Sequence, residues 1–375
     1  MRIALAHPFV FPEVRRGAER YLEDLSAFLA SRGHEVEVIS STKGPRRTEH
    51  REDGVTVRLY RRILVSKGAV LGMGPVESFG ASALWPLIAG HFDLVHALTP
   101  STALAGRVAG LPTLYSVLGY PSHEQLPKNW PARRLFMAAV RASTLTAVLS
   151  QAAGEALMVT AGRQAVVLSP GVRMESFKAN LQARRGPPVV LFSGSLSDRR
   201  KRVDLAVSAL PSLLRWYPDC RLQLSGEGDP SWAFSQGALA QSLLSRIDIL
   251  GPGRPEEVPD RYRSASVTVL PAENEAFGLV LVESLACGTP VVCTPAGGMP
   301  EILGDSGVGR VARSFEPEDI AVAIRECLEL AGDPATAHRC VERAYKWAWE
   351  SAVGPAHEKI YQKIVRPSHT RLVHR

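Results

Sequence analysis

No apolar run in this chain reaches the ~18 uncharged residues that a membrane-spanning helix needs, so none is predicted. Cysteine is scarce and confined to the second half. Cys220, Cys287, Cys293, Cys327 and Cys340 form no C-x-x-C pair and no Cys/His cluster at zinc spacing. That excludes a disulfide framework and a zinc module, and it suits a reducing compartment in which each thiol packs as a small core residue. No Asp-x-Asp pair occurs, so no metal site is expected. The first apolar run is not followed by G-x-G-x-x-G, which argues against a nicotinamide dehydrogenase. Nucleic-acid-binding motifs, low-complexity tracts and fixed-period repeats are also missing, and no nucleic-acid partner is expected. The apolar stretch near the N-terminus is too short for a secretory leader and is closed by Pro8. It reads as a buried strand, and a cytoplasmic location is expected.

What is present is alternation. Residues 3–7 form a buried apolar run. Residues 18–31 have helical spacing, with Tyr21, Leu22, Leu25, Phe28 and Leu29 on one face, and Gly33 ends that helix. Strand patterns recur at 36–39, 55–60, 93–97, 113–118, 145–149 and 166–168. A polar stretch with Gly and two prolines, 180–188, then interrupts the pattern and reads as a linker. Alternation resumes with strands at 189–192, 221–224, 247–250, 267–270 and 290–293 and helices at 203–217 and 279–286. Strands separated by helices imply parallel, doubly wound sheets. The expected architecture is α/β, with two Rossmann-like domains over 1–180 and 188–354 and a ligand cleft between them. Charge divides along the same line. Residues 1–186 hold 23 Lys and Arg against 14 Asp and Glu, whereas the remainder holds 21 against 23. A basic first half points to an anionic acceptor, to an acidic membrane face, or to a plain solvated surface. The segment 129–141, with Trp130, Leu135, Phe136 and three arginines, fits either a membrane-facing helix or an ordinary helix covering the sheet.

One segment concentrates chemistry. In Leu270-Pro271-Ala272-Glu273-Asn274-Glu275-Ala276-Phe277-Gly278-Leu279-Val280-Leu281-Val282-Glu283 a strand ends, a loop follows and a helix begins near Phe277 or Gly278. A helix N-terminus offers free N–H groups and the positive end of a dipole, which suits a diphosphate. Gly278 lets a ligand approach the backbone. Glu275 lies at the helix mouth and Glu283 one to two turns inside, and a carboxylate can accept hydrogen bonds from paired sugar hydroxyls. Two glutamates eight apart are by themselves ordinary surface residues.

The continuation is more specific: Ser284-Leu285-Ala286-Cys287-Gly288-Thr289-Pro290-Val291-Val292-Cys293, then Thr294-Pro295-Ala296-Gly297-Gly298-Met299-Pro300-Glu301-Ile302. From Glu275 to Ile302 the chain resembles the retaining GT-B glycosyltransferases of family 4. The resemblance implies that Glu275 lies by the donor sugar, that Glu283 binds the ribose, and that backbone N–H groups around Ala276, Phe277, Gly278 and Leu279 hold sugar and phosphate oxygens. The run from Phe192 to Asp204 resembles the family's phosphate-binding loop and gives Lys201 the role of neutralising the leaving diphosphate. Ser195 stands where the family has Arg, with Arg200 or Arg199 as candidate replacements. Leu224-Ser225-Gly226-Glu227-Gly228 resembles the family's turn beside the nucleotide. Ile249-Leu250-Gly251 resembles the segment whose backbone meets the base.

The resemblance extends less tightly over the first half. Arg16 and Gly17 fall in the loop facing donor phosphate and acceptor, with Arg16 in place of a family Gly. Leu118, before Gly119, stands where family members often carry a donor-contacting histidine, and His123 is the candidate replacement. His7 and His96 read as structural strand residues. A helix over 347–361 resembles the family's C-terminal helix, so residues 355–375 are expected to pack back on the first domain. The resemblance implies retaining transfer from a UDP-, GDP- or ADP-sugar to a hydroxyl acceptor, with domain closure about the linker, no metal and no cofactor. A nucleotide-sugar epimerase or hydrolase, or a silent nucleotide-sugar-binding subunit, are the rival readings.

Overall fold

The computed structural model describes residues 1–11, 13–14, 16–62, 74–179, 186–236, 241–305 and 307–365. Most of the expected linker, residues 180–185, lies outside the described residues. The chain divides into two compact units, Met1–Gly171 with Trp349–Arg375, and Val172–Ala348.

The first unit runs β1 (Arg2–Ala6), α1 (Gly17–Ser31), β2 (Glu35–Thr42), β3 (Arg47–His50), β4 (Thr56–Arg61), α2 (Pro75–Ala89), β5 (Leu94–Ala97), α3 (Pro100–Val108), β6 (Thr113–Val117), α4 (Trp130–Ala142), β7 (Leu145–Val148), α5 (Gln151–Ala161) and β8 (Val166–Val167). Its sheet has the order β3-β4-β2-β1-β5-β6-β7-β8. Every pairing is parallel except β3 with β4. β1, β5 and β6 are near-continuous apolar runs because helices cover both faces of the sheet. α1 buries Tyr21, Leu22, Leu25, Phe28 and Leu29, the face its spacing predicts. β3 is absent from the sequence reading for a physical reason. Its four residues are all exposed and polar, so no alternation marks it, and only antiparallel pairing to β4 makes it a strand.

The second unit runs β9 (Val189–Ser193), α6 (Val203–Trp216), β10 (Arg221–Ser225), α7 (Ser231–Gln236), β11 (Ile247–Gly251), α8 (Val258–Ser264), β12 (Val267–Leu270), α9 (Leu279–Ala286), β13 (Val291–Cys293), α10 (Met299–Leu303), β14 (Gly309–Val311), α11 (Pro317–Ala331) and α12 (Pro334–Ala344). Its sheet, β11-β10-β9-β12-β13-β14, is wholly parallel. The strand order steps away from β9 in both directions, which opens a crevice at the carboxyl ends of β9 and β12. All five cysteines are buried free thiols here, and burial pushes Cys293 up to about 12. Among the described residues, no helix is long and apolar enough to cross a membrane.

The C-terminal segment departs from the single helix expected over 347–361. A 3-10 turn (Tyr345–Trp347) and a π-helical turn (Trp349–Val353) precede α13 (Gly354–Val365). Pro355 has no N–H to continue a helix entered from the π turn, but it fits the first turn of a new one. α13 closes the core of the first unit. His357 accepts from the Tyr21 hydroxyl through Nε2 at 2.6 Å while its Nδ1 donates to the Val353 carbonyl at 2.7 Å. His96 on β5 lies between Tyr361 and Ser116, each at 2.7 Å, and Trp349 stacks on Tyr21. Both imidazoles are fully buried, and among the described residues their hydrogen-bond partners are hydroxyls and a carbonyl, not a carboxylate. Desolvation pushes His357 down to about 4 and holds His96 well below the ordinary range.

Both histidines stay neutral in the folded chain and gain protons when it unfolds below pH ~6.5. Their contribution is therefore full above that pH and is lost as pH falls toward the folded value of about 4. Replacing His357 with Gln, which keeps an acceptor for Tyr21, is expected to reduce the fall in unfolding free energy between pH 7 and pH 5 by about 2 kcal/mol. Denaturant titrations of the full chain at the two pH values measure this difference.

Candidate active site

The loop between β12 and α9 is clamped on two sides. On one side stands the 3-10 turn Arg199–Lys201, which precedes α6. The Lys201 ammonium pairs with the Glu275 carboxylate, the Arg202 guanidinium pairs with Glu273, and the Glu273 N–H donates to the Arg200 carbonyl at 2.7 Å. Arg202 takes a left-handed conformation, φ +51°, which costs a non-glycine residue about 1 kcal/mol. A second ion pair, to Asp204 at 2.9 Å, helps to hold it there. Lys201 and Glu275 are 21% and 18% exposed, so the pair is neither dry nor freely solvated.

On the other side stands the Gly297-Gly298 turn. Gly297 has φ +60°, and a methyl group there would overlap the Glu275 carbonyl oxygen. That carbonyl accepts from the Gly298 N–H at 2.9 Å, and Thr294 Oγ1 donates to the Ala272 carbonyl at 2.6 Å. Gly278 then caps α9 with φ +100°. The Leu281 N–H is taken by the Gly278 carbonyl at 2.9 Å. The N–H groups of the first two helical residues, Leu279 and Val280, precede any i−4 carbonyl of the helix and carry the positive end of its dipole. An ammonium, a carboxylate and a helix N-terminus thus converge on one loop. Ala276 and Phe277 are buried beneath it, Phe277 edge-on to Trp347, and Leu279 is half-buried.

Further along the sheet, Glu283 is 4% exposed and accepts from the Tyr262 hydroxyl at 2.9 Å; Tyr262 in turn meets Ser193 Oγ at 3.0 Å. Gly226, φ +153°, packs on the Gly194 carbonyl so closely that no side chain fits, and its N–H donates to the Gly251 carbonyl at 3.1 Å. Ser195 is exposed directly after that contact. The two candidate replacements for the family arginine at Ser195 are engaged elsewhere. Arg200 is bidentate on Asp198, at 2.6 and 3.2 Å, and Arg199 lies over the Trp232 ring at 5.3 Å. Leu250 and Gly251 end β11, where Arg261 donates to both carbonyls.

The remaining predicted residues belong to the first unit and follow the carboxyl ends of β1 and β6. Arg16 is exposed at the N-cap of α1 and makes no capping bond, and Gly17 is the first helical residue. Leu118 is half-buried, while Gly119 and His123 are exposed. Glu19, one turn into α1, is 2% exposed with one carboxylate oxygen lacking a hydrogen-bond partner. Burial raises its pKa against the opposing pull of local backbone N–H groups and Arg16. His7 is buried, bonded to Phe9, and pushed down to about 4 by desolvation.

Residues 173–347 match the family described as Glycosyl transferases group 1, and residues 15–176 match Glycosyltransferase Family 4. The chain belongs to glycosyltransferase family 4. Its fold is GT-B: it is similar over 97% of its length to sucrose-phosphate synthase from Thermosynechococcus elongatus, covering 98% of that chain, with TM-score 0.78 and 22% identity. A similar match, TM-score 0.74 at 19% identity, covers 98% of this chain and 100% of Anabaena HepE in complex with UDP and glucose. The D-inositol 3-phosphate glycosyltransferase of Mycolicibacterium gilvum is 31% identical over 195 residues, 52% of this chain and 40% of that protein. Its counterpart from Geodermatophilus obscurus is 28% identical over 384 residues, 90% and 82% of the two chains. The chain spans less than half the length of several of the curated relatives it matches.

In this family 4 chain three contributors escaped sequence reasoning: Arg261, Tyr262 and the Arg202–Glu273 pair. Tyr262 and Arg261 are neighbours on a seven-residue helix, α8, too short to reveal which side chain faces which strand. Gly297→Ala is expected to lower the unfolding midpoint, because both the left-handed backbone and the Glu275 carbonyl oppose a methyl group. Thermal unfolding compares the variant with the parent chain.

Proposed function

We propose that this chain transfers a sugar from a nucleoside-diphosphate sugar to a hydroxyl acceptor, with retention of anomeric configuration and without a metal. The observation that carries the reading is the Lys201–Glu275 pair at the mouth of α9. A diphosphate seated there would share Lys201 with Glu275 and meet the N–H groups of the helix start. Negative charge grows on the leaving phosphate as the glycosidic C–O bond breaks, and a preorganised cation with aligned N–H groups stabilises that charge. The acceptor oxygen bonds the anomeric carbon from the same face, and its proton passes to the departing phosphate oxygen. Glu275 holds donor-sugar hydroxyls and Glu283 the ribose hydroxyls, with Gly226, Leu250 and Gly251 beside the nucleotide. Arg16, Gly17, Leu118, Gly119 and His123 serve sugar and acceptor from the first unit. The UDP bound in Anabaena HepE supports a nucleotide donor, and the phosphorylated polyol named for the inositol phosphate relatives suits the basic first half.

Removing one preorganised charge-stabilising group typically costs about 10²–10³ in turnover. Glu275→Ala and Lys201→Ala are each expected to lose activity on that scale while keeping the parent unfolding midpoint. Thermal shifts with UDP, GDP and ADP select the donor, and transfer is then assayed with the matching sugar. Near-parent rates from Glu275→Ala would sink the assignment. Release of free sugar or an epimer without any acceptor would point to hydrolysis or epimerisation, and nucleotide binding without turnover to a silent subunit.

The basic helix α4 supports an anionic membrane face as the place of work. The helix carries Arg133, Arg134 and Arg141 and no carboxylate, its arginines are exposed, and Trp130 is 66% exposed beneath Arg134. Sedimentation with phosphatidylglycerol vesicles is expected to be strong at low salt and weak with phosphatidylcholine alone. Arg133→Glu combined with Arg134→Glu should abolish it. Equal sedimentation with both lipids would refute this part of the proposal.

A further inference from the structure

Among the described residues Arg261 makes no close ion pair; the acid that feels its charge is Glu257, one turn earlier at the N-cap of α8, whose direct partner is Arg254. Among the described residues its guanidinium is held by three neutral oxygens at the carboxyl ends of two neighbouring strands. Nη1 donates to Ser225 Oγ and to the Gly251 carbonyl, both at 2.7 Å, and Nη2 to the Leu250 carbonyl at 3.3 Å. Most other arginines of this unit sit against an acid, among them Arg202, Arg221 and Arg310. The guanidinium also lies against Gly253, where an added Cβ would stand 2.9 Å from Cζ. The backbone of Gly253 is outside the left-handed region, so the missing side chain there makes room for the guanidinium rather than easing the turn.

We infer that Arg261, seated in the space left by Gly253, is the positioning residue that sets the nucleotide base this chain accepts. The inference rests on the proposal that Leu250 and Gly251 meet the base. The Gly251 carbonyl receives the Gly226 N–H at 3.1 Å as well as Arg261, so both of its lone pairs are engaged. Arg261 also occupies the Leu250 carbonyl. These acceptors are engaged by Arg261 rather than offered to an incoming base, and a guanidinium whose direct contacts are all neutral oxygens is placed behind them. A base edge that presents carbonyl oxygens is favoured there, and one that presents an amino group must leave its donor unpaired. The chemistry selects uracil, with two carbonyls, over adenine, whose exocyclic group is a donor. Arg261 also ties β11, the edge strand, to β10 beside the Gly226 contact, so the same side chain keeps the binding strands in register.

Calorimetric titration of UDP and ADP into the parent chain, Arg261→Met, Arg261→Lys and Gly253→Ala tests this. The parent is expected to bind UDP at least tenfold more tightly than ADP. Arg261→Met and Gly253→Ala should each weaken UDP about tenfold and leave ADP nearly as before, so that the preference collapses. Arg261→Lys, which keeps the charge but not the fork, should fall between. In steady-state transfer the loss should appear in the donor KM rather than in kcat. A merely structural Arg261 would weaken both nucleotides alike and lower the unfolding midpoint. That outcome, or parent-like UDP affinity and preference in the two variants, overturns the inference while leaving the nucleotide site standing. Binding of GDP, titrated in the same way, but of neither UDP nor ADP by the parent overturns this inference and leaves the donor reading standing, whereas binding of none of the three overturns both. If Arg261→Met does not fold, Gly253→Ala carries the test, because its only demand is that a flexible side-chain tip move aside.

Discussion

The contact between Gly297 and the Glu275 carbonyl is the constraint on which the proposed donor site depends. An exposed ion pair contributes only about 0–1 kcal/mol and could not by itself hold a loop. Here the order of cause is the reverse. Backbone packed on backbone at Gly297, and again at Gly226 against Gly194, fixes the loops first. Lys201, Glu275, Arg202 and Glu273 then meet with little side-chain freedom left to lose. The glycines act as steric stops, and the charges are placed by them.

The two units solve the problem of buried polarity differently. The second places the Lys201–Glu275 and Arg202–Glu273 pairs, all partly exposed, in loops after the carboxyl ends of β9 and β12. The first buries His96, His357, Tyr21 and Tyr361 together, each imidazole satisfied by hydroxyl or carbonyl partners. Neutral, hydrogen-bonded imidazoles avoid the desolvation cost of a charged core. They also leave that core dependent on pH in a way that an apolar core would not be.

Legibility in the sequence followed the kind of force involved. Parallel strands such as β1, β5, β9 and β12 were readable because both faces are buried, and each is a short apolar run between breakers. The loop and helix mouth at Glu275 were legible from the end of a strand and the start of an apolar helix at Gly278. The roles given to Glu275 and Glu283 came instead from the family resemblance of the run to Ile302, since two glutamates eight apart mark nothing by themselves. β3 was not readable, since its residues are polar and its existence depends on β4. The break before α13 was missed because Pro355 ends one helical turn and begins another within the same apolar periodicity. Arg261 was hidden for another reason. Its partners are backbone oxygens contributed by strands distant from α8 in sequence, and nothing in local spacing marks a side chain that bonds to carbonyls. Tyr262 was likewise invisible until burial placed it against Glu283.

The closing of the first unit by α13 bears on the order in which the chain acquires its cores during synthesis. Tyr21 and His96 are made 336 and 265 residues before their partners His357 and Tyr361. The second unit, contiguous over 172–348, has all its strands and helices before those partners exist. The later half of the sequence can therefore complete its core first, while the earlier half waits with a polar pocket open to water. Any quality-control machinery that meets the nascent chain would find exposed surface in the unit whose strands are made first, not in the one made after it.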